Sequence, residues 1–299
     1  YINSYLPGPP VSNQTLESRI VVTGRRISQG MLQKTMGSGY RHFAEKEEQV
    51  SDLAVKAAQP VLKDYNKPVE LLIFAAACAD LIEPATCNII QQKLGLRCPA
   101  FDVKNACNSV LSAMEIAKAM MQAQGYKNVL IVSGEKPSDS IRYCFEKSEL
   151  LKDHFAAFSF GDAGIALLLE RDESDHGIFY QKSISYGEHW SLCTIPGGGS
   201  MYPNDADKLF FSGQTYALKN EVKRLAAPFV MKCLAEAGVK LSDIAFFCTH
   251  QVSAGMYEDI AQMIDQPLEK FVPLFERYGN TAAVSVPLAL EEVMKNRHL

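Results

Sequence analysis

Apolar positions along the chain fall into helical stripes that alternate with short continuous runs. A stripe opening at Ser51-Asp52-Leu53-Ala54-Val55-Lys56-Ala57-Ala58 predicts a helix to about Tyr65. After a polar break, Glu70-Leu71-Leu72-Ile73-Phe74-Ala75-Ala76 reads as a buried strand. The same order returns in the second half. Asn220-Glu221-Val222-Lys223-Arg224-Leu225 opens a helical pattern to about Ala237, and Ile244-Ala245-Phe246-Phe247-Cys248 reads as another buried strand. Between them, Pro99-Ala100-Phe101-Asp102-Val103 and Asn128-Val129-Leu130-Ile131-Val132-Ser133 predict two more strands. A further strand, Ala163 to Leu169, follows the turn signal Phe160-Gly161-Asp162. Val284 to Val293 is helix-like. Short apolar strands between helices predict an α/β fold with its sheet covered on both faces. The internal echo predicts two packed α/β halves, residues 1–172 and 173–299, divided in the polar stretch Arg171-Asp172-Glu173-Ser174-Asp175.

Composition narrows the partners. The 299 residues are 47% apolar and 21% charged, with a formal net charge of −4, ample for a sizeable core. No block of Lys or Arg provides a footprint for nucleic acid or a membrane surface. Tyr1 to Pro7 lacks a basic segment followed by an apolar one, so no signal peptide is visible. The longest apolar run, Leu71 to Ala79, falls far short of the roughly 20 residues that span a bilayer. A cytoplasmic protein is expected. The eight cysteines form no C-x-x-C pair and several sit in apolar elements, which predicts reduced thiols. Most of them read as small buried hydrophobes.

One cysteine stands apart. From Asn108 onward, Val110, Leu111, Ala113, Met114, Ala117, Met120 and Met121 recur at helical spacing. Cys107 therefore sits between a strand and a helix start, where unpaired N–H groups and the dipole favour a thiolate. A thiolate exchanges acyl groups with thioesters at little energetic cost. His250 follows the predicted strand Phe246-Phe247-Cys248, and strand ends in α/β folds face the ligand crevice. Asn280 lies in Arg277-Tyr278-Gly279-Asn280-Thr281-Ala282-Ala283. Taken singly, each reads as well as a packing cysteine, a structural histidine or a turn asparagine. Their joint occurrence carries the assignment.

Four motifs occur in a telling order: Phe101-Asp102-Val103-Lys104-Asn105-Ala106-Cys107, Phe160-Gly161-Asp162-Ala163-Gly164, His250-Gln251, and Gly279-Asn280-Thr281-Ala282-Ala283-Val284-Ser285-Val286-Pro287. Together they resemble β-ketoacyl-acyl-carrier-protein synthase III and its relatives. The resemblance spans nearly the whole chain. It implies the five-layered thiolase fold, a homodimer, and acyl-CoA or acyl-carrier-protein thioesters as substrates, with no cofactor and no metal. It assigns acyl loading to Cys107 and stabilisation of the second thioester's developing charge to His250 and Asn280. Two preorganised donors in a dry cleft are worth a few kcal/mol each. Asp80-Leu81-Ile82-Glu83-Pro84-Ala85-Thr86, His189-Trp190 and Pro196-Gly197-Gly198-Gly199-Ser200 resemble the thiolase that joins two acyl-CoA chains head to head in olefin biosynthesis. That likeness makes Glu83 the condensation base, reaching across the dimer interface as a partly buried carboxylate.

Two departures stand out. Met31 and Thr35 precede Arg41-His42 where chain-initiating synthases carry Trp and Arg for the CoA adenine. The family also continues past Glu291-Glu292-Val293 into a hairpin whose Gly-rich turn supplies an oxyanion-hole N–H. This sequence stops at Leu299, and the expectation is that the hairpin is omitted from it, because a missing closing strand would expose a sheet edge. The rival functions are acyl transfer to oxygen or nitrogen on the same fold and a catalytically silent partner subunit. Retention of both Cys107 and His250 counts against the second.

Overall fold

The computed structural model describes residues 1–172 and 176–296. Five strands form its central sheet: β1 Ile2–Tyr5, β2 Leu71–Ala75, β3 Ala100–Val103, β4 Asn128–Glu135 and β5 Ala163–Glu170. Their order is β1-β5-β4-β2-β3. β2 runs parallel to β3 and β4, whereas β5 is antiparallel to β4 and to β1. The principal helices are α1 Val50–Asp64, α2 Thr86–Leu94, α3 Ser109–Gln124, α4 Thr215–Ala237 and α5 Ser285–Asn296.

Strand residues alternate between the two faces, as a period of two requires. Leu71, Ile73, Val129, Ile131, Ile165 and Leu167 pack with Val110, Ala113 and Ala117 of α3 and with Leu288, Ala289 and Val293 of α5. Leu72, Phe74, Leu130, Val132, Ala166 and Leu168 meet α1 and Ile90 of α2 on the other side. The continuous apolar runs in the sequence thus reflect a sheet buried twice over. α1 lies unusually close to it. Gly134 and Gly164 are opposed across β4 and β5. A Cβ on Gly134 would stand 2.0 Å from Val50 O, and one on Gly164 2.2 Å from Leu53 O. Glycine is required at both positions because helix backbone passes directly over them.

The second half departs from the predicted pattern. α4 begins at Thr215 rather than Asn220 and buries none of its side chains. The stretch 244–248 is half-buried or exposed rather than a buried strand. Its one strand-like link is a bridge between Phe247 and Phe271, whose rings stack at 4.8 Å. An apolar run becomes a strand only when neighbours complete its ladder. Among the described residues, this segment has a single bridge. The α/β class holds, with the large sheet concentrated in the first half. The predicted division at 172/173 adjoins residues 173–175, which lie outside the described residues, as does Leu299.

Candidate active site

Cys107 occupies the tight turn between β3 and α3. Ser109 brackets that turn: its hydroxyl accepts from Asn105 N at 2.8 Å and donates to Ala106 O at 2.7 Å. Asn108 N donates to Asn105 O. Ala106 is held at φ +47°, a left-handed conformation that costs an L-residue roughly 1–2 kcal/mol. Strain of this kind concentrates at functional sites. The expectation of a dipole-stabilised thiolate is corrected here. Burial pushes the Cys107 thiol up to about 12, and the neighbouring Glu135 and Cys193 add to the rise. Removing water disfavours the charged sulfur more than the helix start favours it.

Asn280 is buried beside a backbone that only glycine allows. Gly279 adopts φ 68°, ψ −155°, and a Cβ there would stand 2.3 Å from Ser159 O. Asn280 N donates to Ser159 O at 2.7 Å, and Gly161 N donates to Asn280 O at 3.0 Å. The Phe160-Gly161-Asp162 and Gly279-Asn280 motifs are thus one structural unit. Asp162 secures it from below, accepting from Ala44 N at 2.9 Å and from the Ser138 hydroxyl at 2.6 Å. The Asn280 carboxamide has a defined orientation: Oδ1 accepts Ala282 N–H at 3.0 Å. The Nδ2 hydrogens remain to donate elsewhere.

His250 is neutral near pH 7, because burial pulls its imidazole down to about 4. Its Nδ1 is buried and has no hydrogen-bond partner among the described residues. The adjacent Gln251 is fully engaged. Its Oε1 accepts from Leu274 N at 2.9 Å and Phe275 N at 3.0 Å, and its Nε2 donates to Val272 O. Gln251 therefore ties the histidine loop to the segment that runs into Asn280. Gln251→Ala should destabilise the fold by about 2–4 kcal/mol, because two buried N–H groups and one carbonyl lose their partner. Denaturant unfolding reads this directly, and a change below about 0.5 kcal/mol would contradict the tie.

Glu135, at the end of β4, went unrecognised in the sequence. It is fully buried, and its carboxyl is pushed up to about 7, chiefly by burial. Oε1 accepts from Ala77 N at 2.7 Å and from Ala283 N at 3.4 Å, and Oε2 accepts from Cys78 N at 3.2 Å. The available signal was a lone acid ending an apolar strand. Glu135 binds the Asn280 loop through Ala283 N, and its charge also helps to raise the Cys107 thiol. Phe246 and Cys248, just before His250, pack into the same core as Val110 and Ala283.

The remaining assignments fare differently. Glu83 lies on an exposed loop, next to Leu81 and Ile82, which are 52% and 87% exposed. The partial burial expected of it is absent within a single chain. Arg41 is wholly buried, donating to Asn13 Oδ1 at 2.7 Å and to the Ser38 hydroxyl at 2.6 Å. Among the described residues, no His/Cys/Asp/Glu cluster could hold a metal, and no helix is long and apolar enough to cross a membrane.

Two family models, curated relatives and solved structures match this chain. The family described as 3-oxoacyl-[acyl-carrier-protein (ACP)] synthase III matches residues 101–187, and its C-terminal counterpart matches residues 234–299. The two segments together cover half of the chain. A β-ketoacyl-[acyl-carrier-protein] synthase III from Desulfitobacterium hafniense is 29% identical over 305 residues, covering 99% of this chain and 88% of its own. One from Neisseria gonorrhoeae is 29% identical over 293 residues, covering 96% and 87%. Among solved structures, 3-oxoacyl-[acyl-carrier-protein] synthase III from Aquifex aeolicus superposes with a TM-score of 0.86 at 24% identity, covering 100% of this chain and 90% of its own. Cerulenin-bound OleA from Xanthomonas campestris gives 0.85 at 23% identity, covering 100% and 88%. At these identities the solved structures establish a shared fold. The chain belongs to the 3-oxoacyl-[acyl-carrier-protein] synthase III family and has its thiolase fold.

Proposed function

We propose that this condensing enzyme loads an acyl group on Cys107 and joins it, by Claisen chemistry, to a second acyl or malonyl thioester. In the first step the Cys107 sulfur attacks a thioester carbonyl. The carbonyl's bond to the departing thiol breaks, and the Cys107 proton leaves with that thiol. In the second step the α-carbon of the second thioester becomes a carbanion, by loss of CO2 from a malonyl unit or of a proton to a base from an acyl unit, and attacks the acyl-cysteine carbonyl. A carbon–carbon bond forms, the bond from that carbonyl to the Cys107 sulfur breaks, and the sulfur takes up a proton to regenerate the thiol. His250 and Asn280 hold the second thioester's oxygen as charge gathers on it. The orientation of Asn280 carries this reading: with Oδ1 bound to Ala282 N, the carboxamide offers donors, which is what an enolate oxygen needs.

Intact-protein mass spectrometry after exposure to an acyl-CoA panel tests the loading step. Product analysis with malonyl-carrier protein tests the second. If only esters or amides form, the enzyme transfers acyl groups to other acceptors and the condensation reading is wrong.

Glu83 is proposed as the base for condensation without decarboxylation, acting on the site of a second copy in a homodimer. Its exposed apolar neighbours Leu81 and Ile82 are the kind of surface a partner covers. Glu83→Gln should lower that reaction about 10²–10⁴-fold while Cys107 still acylates. An unchanged turnover would remove Glu83 from the mechanism.

A further inference from the structure

Two loops contribute three amide N–H groups to one buried carboxyl. Glu135 Oε1 takes Ala77 N, in the loop after β2, and Ala283 N, in the loop of Asn280. Its other oxygen takes Cys78 N. The two neighbouring amides of the asparagine loop divide their work. Ala282 N binds the Asn280 carboxamide, and Ala283 N binds Glu135. The backbone that aims them is unusual, since Ala282 is held at φ +48°. Burying a carboxylate is costly unless its lone pairs are engaged, so a charge kept here needs a return elsewhere. An apolar side chain in the same space would leave these three N–H groups without an acceptor, so the carboxyl holds the two loops together as well as carrying a polar group inward.

We infer that Glu135 is a positioning residue: by bridging Ala77 and Ala283 it fixes the Asn280 carboxamide in the register that condensation needs. The inference rests on the role proposed for Asn280. Its first effect is mechanical, on the 280–284 loop. Its second is on chemistry, because a donor misplaced by about 1 Å costs roughly 10²-fold in rate. Acylation of Cys107 does not use the Asn280 donor and should be spared.

The test compares the full chain with Glu135→Ala and Glu135→Gln. Gln keeps an oxygen that can accept from both Ala77 and Ala283, whereas Ala removes the bridge. We expect Glu135→Ala to speed hydrogen exchange across residues 280–284 at least about tenfold and to lower condensation about 100-fold. Its single-turnover acylation should fall far less than condensation, since removing Glu135 takes away a charge that disfavours the Cys107 thiolate. Glu135→Gln should restore most of the exchange protection and condensation. Unchanged exchange in Glu135→Ala overturns the bridge. Equal loss of acylation and condensation, with Gln no better than Ala, overturns the positioning role. Should the parent chain itself fail to acylate, the function proposed above falls, while the exchange comparison still decides whether the carboxylate holds the loop.

Discussion

Cys107→Ala is expected to take up no acyl group at all, and its condensation rate should fall at least about 10⁴-fold. The nucleophile is the one part of a covalent mechanism whose loss neither binding nor electrostatics replaces. Cys193 makes this a demanding test, since it lies close enough to act on the Cys107 thiol. Intact-protein mass after acyl-CoA exposure gives the answer, and peptide mapping places any residual adduct. A stable adduct on the alanine variant would exclude Cys107 as the loading site. The fold should survive the change, because the turn is held by Ser109, Asn105 and Ala106 rather than by the sulfur.

His250→Ala and Asn280→Ala should split the two half-reactions. Acylation should stay within a few-fold, while condensation falls about 10²–10³-fold for each donor removed. Asn280→Asp is the sharper variant. An aspartate keeps the oxygen that accepts Ala282 N–H, so the loop retains its shape while both Nδ2 hydrogens disappear. His250, with its imidazole pulled down to about 4, is neutral throughout the range from pH 5 to 8. Protonation of His250 should therefore add no step to the condensation profile there. Rapid-quench measurement of each half-reaction checks the division. Equal losses in both steps would refute it.

Particular residues show where the sequence was informative. Leu71 to Ala75, Asn128 to Ser133 and Ala163 to Leu169 were legible because a doubly covered sheet demands unbroken apolar runs. Ile244 to Cys248 looked the same, yet a ladder depends on what lies alongside, which one segment's composition does not encode. The tight turns that hold Cys107 and Asn280 were legible through their local motifs. Glu135 was not, because its partners at Ala77 and Ala283 stand 58 and 148 residues away. The balance at Cys107 was also hidden. Chain neighbours reveal a helix start, but the depth of burial that outweighs it is a property of the packed whole.

That depth has a consequence for the resting protein. With its thiol pushed up to about 12, only a very small share of molecules carries a sulfur anion at pH 7. Peroxide and stray electrophiles consume the anion rather than the protonated form. If Cys107 is the loading nucleophile proposed above, peroxide should inactivate the resting protein slowly at pH 7, and inactivation as fast as the oxidation of a free cysteine would contradict this.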